Sequence, residues 1–268
     1  MELELRGKSA LITGGASGIG LGVAQVLAEE GVNLAIASRH PDPAVIDALR
    51  AMGVHCVAIP TDVSQEAQVV AMVEQAIAAL GSLDFYINNA AWTWHQPLTR
   101  IDAVGWSNTL NTNLSACVWA CREVSKHLIS RRAGSIVIIG STARFTPSYG
   151  ETAYRLSKVG LHSLMQNLVL ELAPYGIRVN MVTPGHFKTR MTGNIPAETA
   201  EKLRGLILAH RFGRPVEVGY AVAMLLSDRV SGYTYGADVV VDGGLSLRPL
   251  PLFAEDEVLQ LNLPPSQA

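Results

Sequence analysis

Tyr154 and Lys158 stand four positions apart, with Ser141 upstream of them and a glycine-rich segment from Thr13 to Gly20 near the start of the chain. A spacing of four puts both side chains on one face of a helix. A free tyrosine ionises at a pH of about 10, too high for a base at neutral pH. Bringing it near 7 takes roughly 4 kcal/mol of preference for the phenolate, and one ammonium at about 4 Å supplies roughly that at an effective dielectric near 20. In the reverse direction the phenol would give its proton to a carbonyl oxygen as hydride arrives. By itself a Tyr/Lys pair at this spacing is more often an exposed helical pair. Ser141 follows the apolar run Ser135 to Ile139, where its hydroxyl could hold a substrate oxygen beside Tyr154 or simply serve a turn. Asn113 falls inside a helical pattern that asparagine suits poorly; it is either a solvated polar position or a point where the helix loosens around a bound water.

Such a site needs a hydride carrier, and the start of the chain suggests one. Ser9 to Thr13 reads as a strand, Thr13 to Gly20 as a turn, and Val23, Ala24, Val26 and Leu27 as the apolar side of a helix. Glycines at 14, 18 and 20 let the backbone approach a pyrophosphate, whose charge meets the N–H groups of the helix start, with Ser17 and Ile19 between them. The spacing Gly14-x3-Gly18-x-Gly20 is a variant of the dinucleotide fingerprint, and a tight connection is the plain alternative. A second strand, Asn33 to Ser38, ends about twenty residues beyond the glycines, where an acidic residue would hold a ribose 2′-hydroxyl. Here Ser38 is followed by Arg39. A guanidinium pairs with a 2′-phosphate that a carboxylate would repel, so NADP(H) is favoured over NAD(H), with a solvated surface arginine as the alternative. The charge of an oxidised nicotinamide would add to the effect of Lys158 on Tyr154.

With 268 residues the chain can bury one substantial core, and a single domain is expected. A formal net charge of −2 without a basic block speaks against nucleic acid as the principal partner, and no apolar run approaches membrane-spanning length. Met1 to Lys8 lacks the layout of a signal peptide. Cys56, Cys117 and Cys121 have no zinc-type pairing with histidines, and no metal is expected. Cys117 and Cys121 share a helix face as packed thiols, which fits a reducing cytoplasm.

Further along, Pro43 to Met52 reads as a helix and Val54 to Ile59 as a strand leading to Asp62 and Val63. Asp62 could accept from an adenine amino group or cap the next helix. That helix, Ser64 to Leu80, carries Val69, Val70, Val73 and Ile77 on one side and stops at Gly81. Leu83 to Ile87 is a fourth strand, running into the small residues Asn88, Asn89, Ala90 and Ala91, where backbone can pass close to a cofactor. A long helix over about 103–132, a strand at Ser135 to Ile139, a helix from Tyr154 to Ala173 and a strand at Arg178 to Val182 follow. Strands separated by helices predict an α/β doubly wound parallel sheet of about seven strands, Rossmann-like, covered on both faces. Ligands in such folds lie beyond the carboxyl ends of the strands, where the distinctive residues fall. The tail from Leu247 to Ala268 is too rich in proline for one regular element; it reads as a frayed end or as an arm on a neighbouring subunit.

Over residues 5–246 the chain resembles the classical short-chain dehydrogenase/reductase family. The matching residues are Thr13-Gly14-x3-Gly18-x-Gly20, Asp62, Asn88-Asn89-Ala90, Asn113, Ser141, Tyr154-x3-Lys158, Pro184-Gly185-x3-Thr189 and Asp242-Gly243-Gly244. The resemblance implies a catalytic tetrad of Asn113, Ser141, Tyr154 and Lys158, with Asn113 anchoring a water in a proton relay through Lys158 and the cofactor ribose. It also implies Thr189 on the nicotinamide amide, Val63 and Asn89 along the adenosine and ribose, and a homotetramer using the long helices at 103–132 and 151–174. Ala91 departs from the glycine that the family usually has after Asn-Asn-Ala, and the tail beyond Ser246 is outside the pattern.

Around these positions Trp92, Trp94, His95, Arg144, Phe145, Tyr149, His186, Phe187 and Met191 form an expected substrate wall. It is aromatic with a few polar points, suiting a cyclic or moderately apolar ketone or secondary alcohol whose polar substituent is read by Arg144 or His95. Packing of the aromatics over the cofactor is the alternative. Sugars, polyols, terpenoid ketones and 3-oxoacyl thioesters all stay open. A nucleotide-binding sensor or scaffold is the competing class, against which the intact set of four residues speaks.

Overall fold

The computed structural model describes residues 2–187 and 196–247; Thr189, Met191 and the tail after Leu247 lie outside the described residues. The elements alternate: β1 (Ser9–Thr13), α1 (Gly18–Glu29), β2 (Asn33–Ser38), α2 (Pro43–Arg50), β3 (Cys56–Pro60), α3 (Glu66–Leu80), β4 (Phe85–Asn88), α4 (Ala103–Leu110), α5 (Ala116–Arg131), β5 (Gly134–Ile139), α6 (Thr152–Leu172), β6 (Ile177–Pro184), α7 (Ala197–Gly205), α8 (Pro215–Leu226), α9 (Asp228–Ser231) and β7 (Asp238–Val241). The seven strands are parallel in the order β3-β2-β1-β4-β5-β6-β7. This is the doubly wound Rossmann-like single domain that the alternation predicts. The strand order reverses between β1 and β4, and Gly14, Arg39, Asp62, Asn89, Ser141 and Gly185 each follow the carboxyl end of a strand.

Alternation along each strand divides the core in two. Ile12 of β1 faces one layer with Val23 and Leu27 of α1, Ile46 and Leu49 of α2, and Val218 and Val222 of α8. Its neighbour Leu11 faces the other, with Val69, Met72 and Val73 of α3, Cys117, Cys121 and Val124 of α5, and Leu161 and Met165 of α6. Both faces being covered, β1 and β6 are buried at every position. On α3 the fully buried stripe is Val69, Met72, Val73 and Ala76, whereas Val70 and Ile77 are only partly covered, a small rotation from the face expected.

Two differences from the sequence reading matter. The helix expected over 103–132 is broken by a wide π-turn at Asn111–Ser115, with α4 before it and α5 after it. The segment after β6 also holds α7, α8 and α9, which the sequence reading had not assigned. Of these, α8 lies against α1 at very short range. A Cβ at Gly22 would come 2.4 Å from the Pro215 carbonyl carbon, and one at Gly219 would come 2.7 Å from the Gly22 carbonyl oxygen, so both positions need glycine.

Candidate active site

The glycine turn leaves β1 through Gly14 at φ +66° and enters α1 through Gly18 at φ +54°, both in the left-handed region. Asn89 braces it. Its side-chain amide donates to the carbonyls of Thr13 (2.9 Å) and Gly14 (3.2 Å), while the backbone N–H groups of Asn89 and Ala90 donate to the Thr13 hydroxyl. A side chain expected along the ribose therefore holds the turn in shape. A Cβ at Gly20 would lie 2.2 Å from the Gly14 carbonyl oxygen, so only glycine lets α1 begin this close. Ser17 sits exposed and extended at the helix start and caps no N–H, leaving its hydroxyl and the first N–H groups of α1 facing outward. Ile19 is half-buried against the α1 side of the core. This cradle of unspent donors, kept open by glycine, fits the diphosphate of a dinucleotide.

Ser38 is half-buried at the end of β2, and Arg39 and His40 beyond it are exposed. Arg39 is exposed and has no ion pair among the described residues, which leaves its guanidinium donors available. One Asp62 oxygen accepts from the backbone N–H and the hydroxyl of Ser64, at 3.0 and 2.8 Å, a local turn cap that leaves the second oxygen available. Val63 is buried in the core beside it. On the opposite side Pro184 ends β6, and Gly185 donates to the Val241 carbonyl. Gly185 is required by packing, since its Cβ would fall 2.7 Å from that of Asp242.

The four residues of the expected tetrad meet at the ends of β4 and β5. Ser141, in extended backbone just past β5, accepts from the Ala143 N–H and hydrogen-bonds through its side chain to Tyr154. Lys158 is 3 % exposed and donates to the Ile139 carbonyl at 3.0 Å, with its Nζ 5.8 Å from the centre of the Tyr154 ring. Burial pushes the lysine down to about 8. Burial also raises the Tyr154 phenol, the Ser141 hydrogen bond lowers it, and the Glu151 carboxylate raises it. The Lys158 ammonium is directed to a backbone carbonyl, so its expected effect on Tyr154 would act by charge across that distance and not through a hydrogen bond to the phenol oxygen.

Asn113 lies in the π-turn, buried, and its side chain is saturated on the donor side. It accepts from the Trp92 N–H (2.7 Å), donates to the Trp92 carbonyl (3.0 Å) and donates to the Ser157 hydroxyl (3.1 Å). Ser157, fully buried, donates a hydrogen bond from its hydroxyl to the Tyr154 carbonyl at 2.6 Å. The loosening of the helix at Asn113 is thus observed, and it ties the loop after β4 to the turn of α6 that carries Tyr154. Ser157 was missed in the sequence, although its place directly before Lys158 was the available signal.

Several residues of the expected substrate wall are elsewhere. Phe187 is buried in the core against Gly213. An aromatic after Pro-Gly in sequence reads alike as wall or as packing, and here packing wins. Arg144 forms an ion pair with Asp238 and its guanidinium carbon stacks 4.1 Å from the centre of the Phe145 ring, so it is held toward β7 and not toward the tyrosine. Tyr149 is fully exposed. Trp92 and Trp94 stack with ring centres 6.4 Å apart, and Trp94 rests on Gly105 of α4. His95 reaches Glu151 at 3.1 Å, and burial holds the half-covered His186 below the usual histidine range.

The family model described as short chain dehydrogenase matches residues 8–200. A protein named 3-oxoacyl-acyl-carrier-protein reductase FabG from Staphylococcus aureus (strain Mu50) is 33 % identical over 241 residues, covering 89 % of this chain and 98 % of its own. The FabG of Chlamydia pneumoniae is 33 % identical over 249 residues, covering 92 % and 100 %. The crystal structure of a short-chain type dehydrogenase/reductase from Mycobacterium marinum superimposes with a TM-score of 0.86 at 30 % identity, covering 92 % of this chain and 98 % of that one. With the parallel sheet, the glycine cradle and the Ser141, Tyr154 and Lys158 cluster, these matches establish that the chain belongs to the short-chain dehydrogenase/reductase family, oxidoreductases that act with NAD(P) on CH–OH donors.

Proposed function

We propose that the protein moves a hydride between NADP(H) and a ketone or secondary alcohol, with Tyr154 as the proton donor and acceptor. The observation that carries this reading is the buried Lys158 beneath the Tyr154 ring, with Ser141 hydrogen-bonded to the same tyrosine. When bound, the nicotinamide supplies or takes the hydride. Gly14, Ser17, Gly18, Ile19 and Gly20 would hold the diphosphate, Ser38 and Arg39 the 2′-phosphate, Asp62 the adenine, and Pro184 and Gly185 the nicotinamide side. Ser141 holds the substrate oxygen next to the phenol. Tyr154 gives that oxygen its proton in reduction and takes it in oxidation. Lys158 stabilises the phenolate by its charge, and Asn113 keeps the loop after β4 and the turn of α6 in register. Both amide hydrogens of Asn113 being spent, any water in a relay to Lys158 is held by its oxygens or by backbone carbonyls that the π-turn loosens.

Trp92, Trp94, His95 and His186 support a ketone of cyclic or moderately apolar type, and the names of the two FabG relatives add 3-oxoacyl thioesters to the compounds worth screening. A sensor or scaffold is disfavoured, because a pure binder gains nothing from desolvating Lys158. Exposed Val118 on α5 and Leu156, Val159 and Leu170 on α6 support a homotetramer built on these helices. Among the described residues no helix is long and apolar enough to cross a membrane, and three buried free thiols fit a reducing cytoplasm. Parallel fluorescence titrations with NADPH and NADH test the cofactor assignment: NADPH binds tighter, and Arg39→Asp reverses the order. Unchanged NADPH affinity in that variant would make Arg39 a surface residue.

A further inference from the structure

Glu151 has no role in the hydride transfer described above, yet it lies in the same place. It directly precedes α6, three positions before Tyr154, so the two side chains share one face. Its carboxylate caps no N–H of the helix it begins. It is instead approached by His95 at 3.1 Å, and the backbone beside it is joined to the same loop, the Gln96 N–H donating to the Gly150 carbonyl at 2.9 Å. Its negative charge also works to raise the Tyr154 phenol and the His186 imidazole, although burial keeps the latter below its usual range. The loop after β4 and the start of α6 therefore meet at one carboxylate, on the turn that leads to Tyr154. No lysine or arginine side chain pairs with it among the described residues, and its side chain is 21 % exposed. Arg144, the cation that could have offset it, is committed to Asp238.

An ionised carboxylate only accepts hydrogen bonds. Beside the reacting carbon it takes a proton donor from the substrate and repels an anion, a discrimination that electrostatics at close range makes steep. We propose that Glu151, oriented by His95, is a specificity-determining residue that selects neutral hydroxyl-bearing ketones and the corresponding vicinal diols over carbonyl compounds with an anionic group near the reacting carbon. The stacked Trp92 and Trp94 give the apolar face of such a substrate its wall. This inference rests on the hydride-transfer reading for its site, but its test does not depend on turnover.

The test is calorimetric binding of trans-1,2-cyclohexanediol and of cyclohexanecarboxylate to the NADP⁺-loaded protein, as wild type, Glu151→Gln and Tyr154→Phe. The wild type and Tyr154→Phe are expected to bind the diol at least about tenfold tighter than the carboxylate, and Glu151→Gln is expected to bring the two within about threefold. An unchanged ratio in Glu151→Gln, a wild type that binds the carboxylate as well as the diol, or one that binds neither, overturns the proposal. NADPH oxidation with 2-hydroxycyclohexanone and 3-oxocyclohexanecarboxylate is followed alongside. Should the binding ratios hold while no ketone is turned over, the hydride-transfer reading fails and the assignment of Glu151 stands.

Discussion

Lys158 is the least ordinary residue of the chain, a primary amine 3 % exposed with one carbonyl partner. Its folded-state value, about 8, lies below the usual 10.5, so between those two values the unfolded chain binds more protons than the folded one. The penalty of burying the ammonium is complete below pH 8 and is relieved as pH rises toward 10.5. Relative to Lys158→Met, the wild type should gain stability across that window by up to about 3 kcal/mol, measured by urea unfolding at each pH. A difference that stays flat or falls would mean that the amine is not desolvated. For the tyrosine the sign is opposite: the Ser141 hydrogen bond favours the phenolate, so Ser141→Ala should raise the pKa of Tyr154. Absorbance at the phenolate band, taken as the difference from the same protein carrying Tyr154→Phe, reads this directly, and a lower pKa would contradict it. Tyr154, Lys158, Ser141 and Asn113 were legible in the sequence because their types are costly where they stand. Glu151 and Ser157 were not, because an acid at a helix start and a serine inside a helix each have an ordinary explanation. Arg144 and Phe187 were misread, since an ion pair to Asp238 and a contact with Gly213 join residues that only the folded chain brings together.

Among the elements, the strands were the clearest to read, because a parallel sheet covered on both faces leaves continuous apolar runs bounded by glycine and polar residues. The π-turn was visible only as a misfit, Asn113 in a helix interior, and its form depends on the bonds to Trp92 and Ser157 that no local pattern encodes. The short α7 has no buried residue, which explains why no periodicity marked it. The contact between α1 and α8 is set by two glycines whose need is tertiary. Gly22→Ala should lower stability by roughly 1–3 kcal/mol, because the methyl group would meet the Pro215 backbone at 2.4 Å and force the helices apart. Thermal unfolding checks this, and an unchanged midpoint would show that α8 can slide on α1 without loss.

Across the whole molecule, exposed aliphatic side chains gather on α5 and α6, of which α6 carries Tyr154 and Lys158 and α5 follows the π-turn that holds Asn113. If these faces meet other copies, burying them also steadies Tyr154 and Lys158. Replacing Leu156 and Leu170 together by Asp should reduce the sedimenting species to dimers or monomers and lower thermal stability. A tetramer unchanged in both respects would place the interface elsewhere. The fold as a whole was legible from the alternation of elements, whereas the tail beyond Leu247 lies outside the described residues and its expected role as an arm stays a proposal.

In the proposed reaction Tyr154 moves the proton while the rest of the chain binds and positions. The most direct measurement is NADPH oxidation at 340 nm with a ketone that the wild type turns over, repeated with Tyr154→Phe, together with the NADPH affinity of both proteins. The expected result is a loss of kcat of about 10³-fold with NADPH affinity within about threefold of the wild type. A Tyr154→Phe protein that keeps its turnover would contradict the assignment and move the proton transfer to another group.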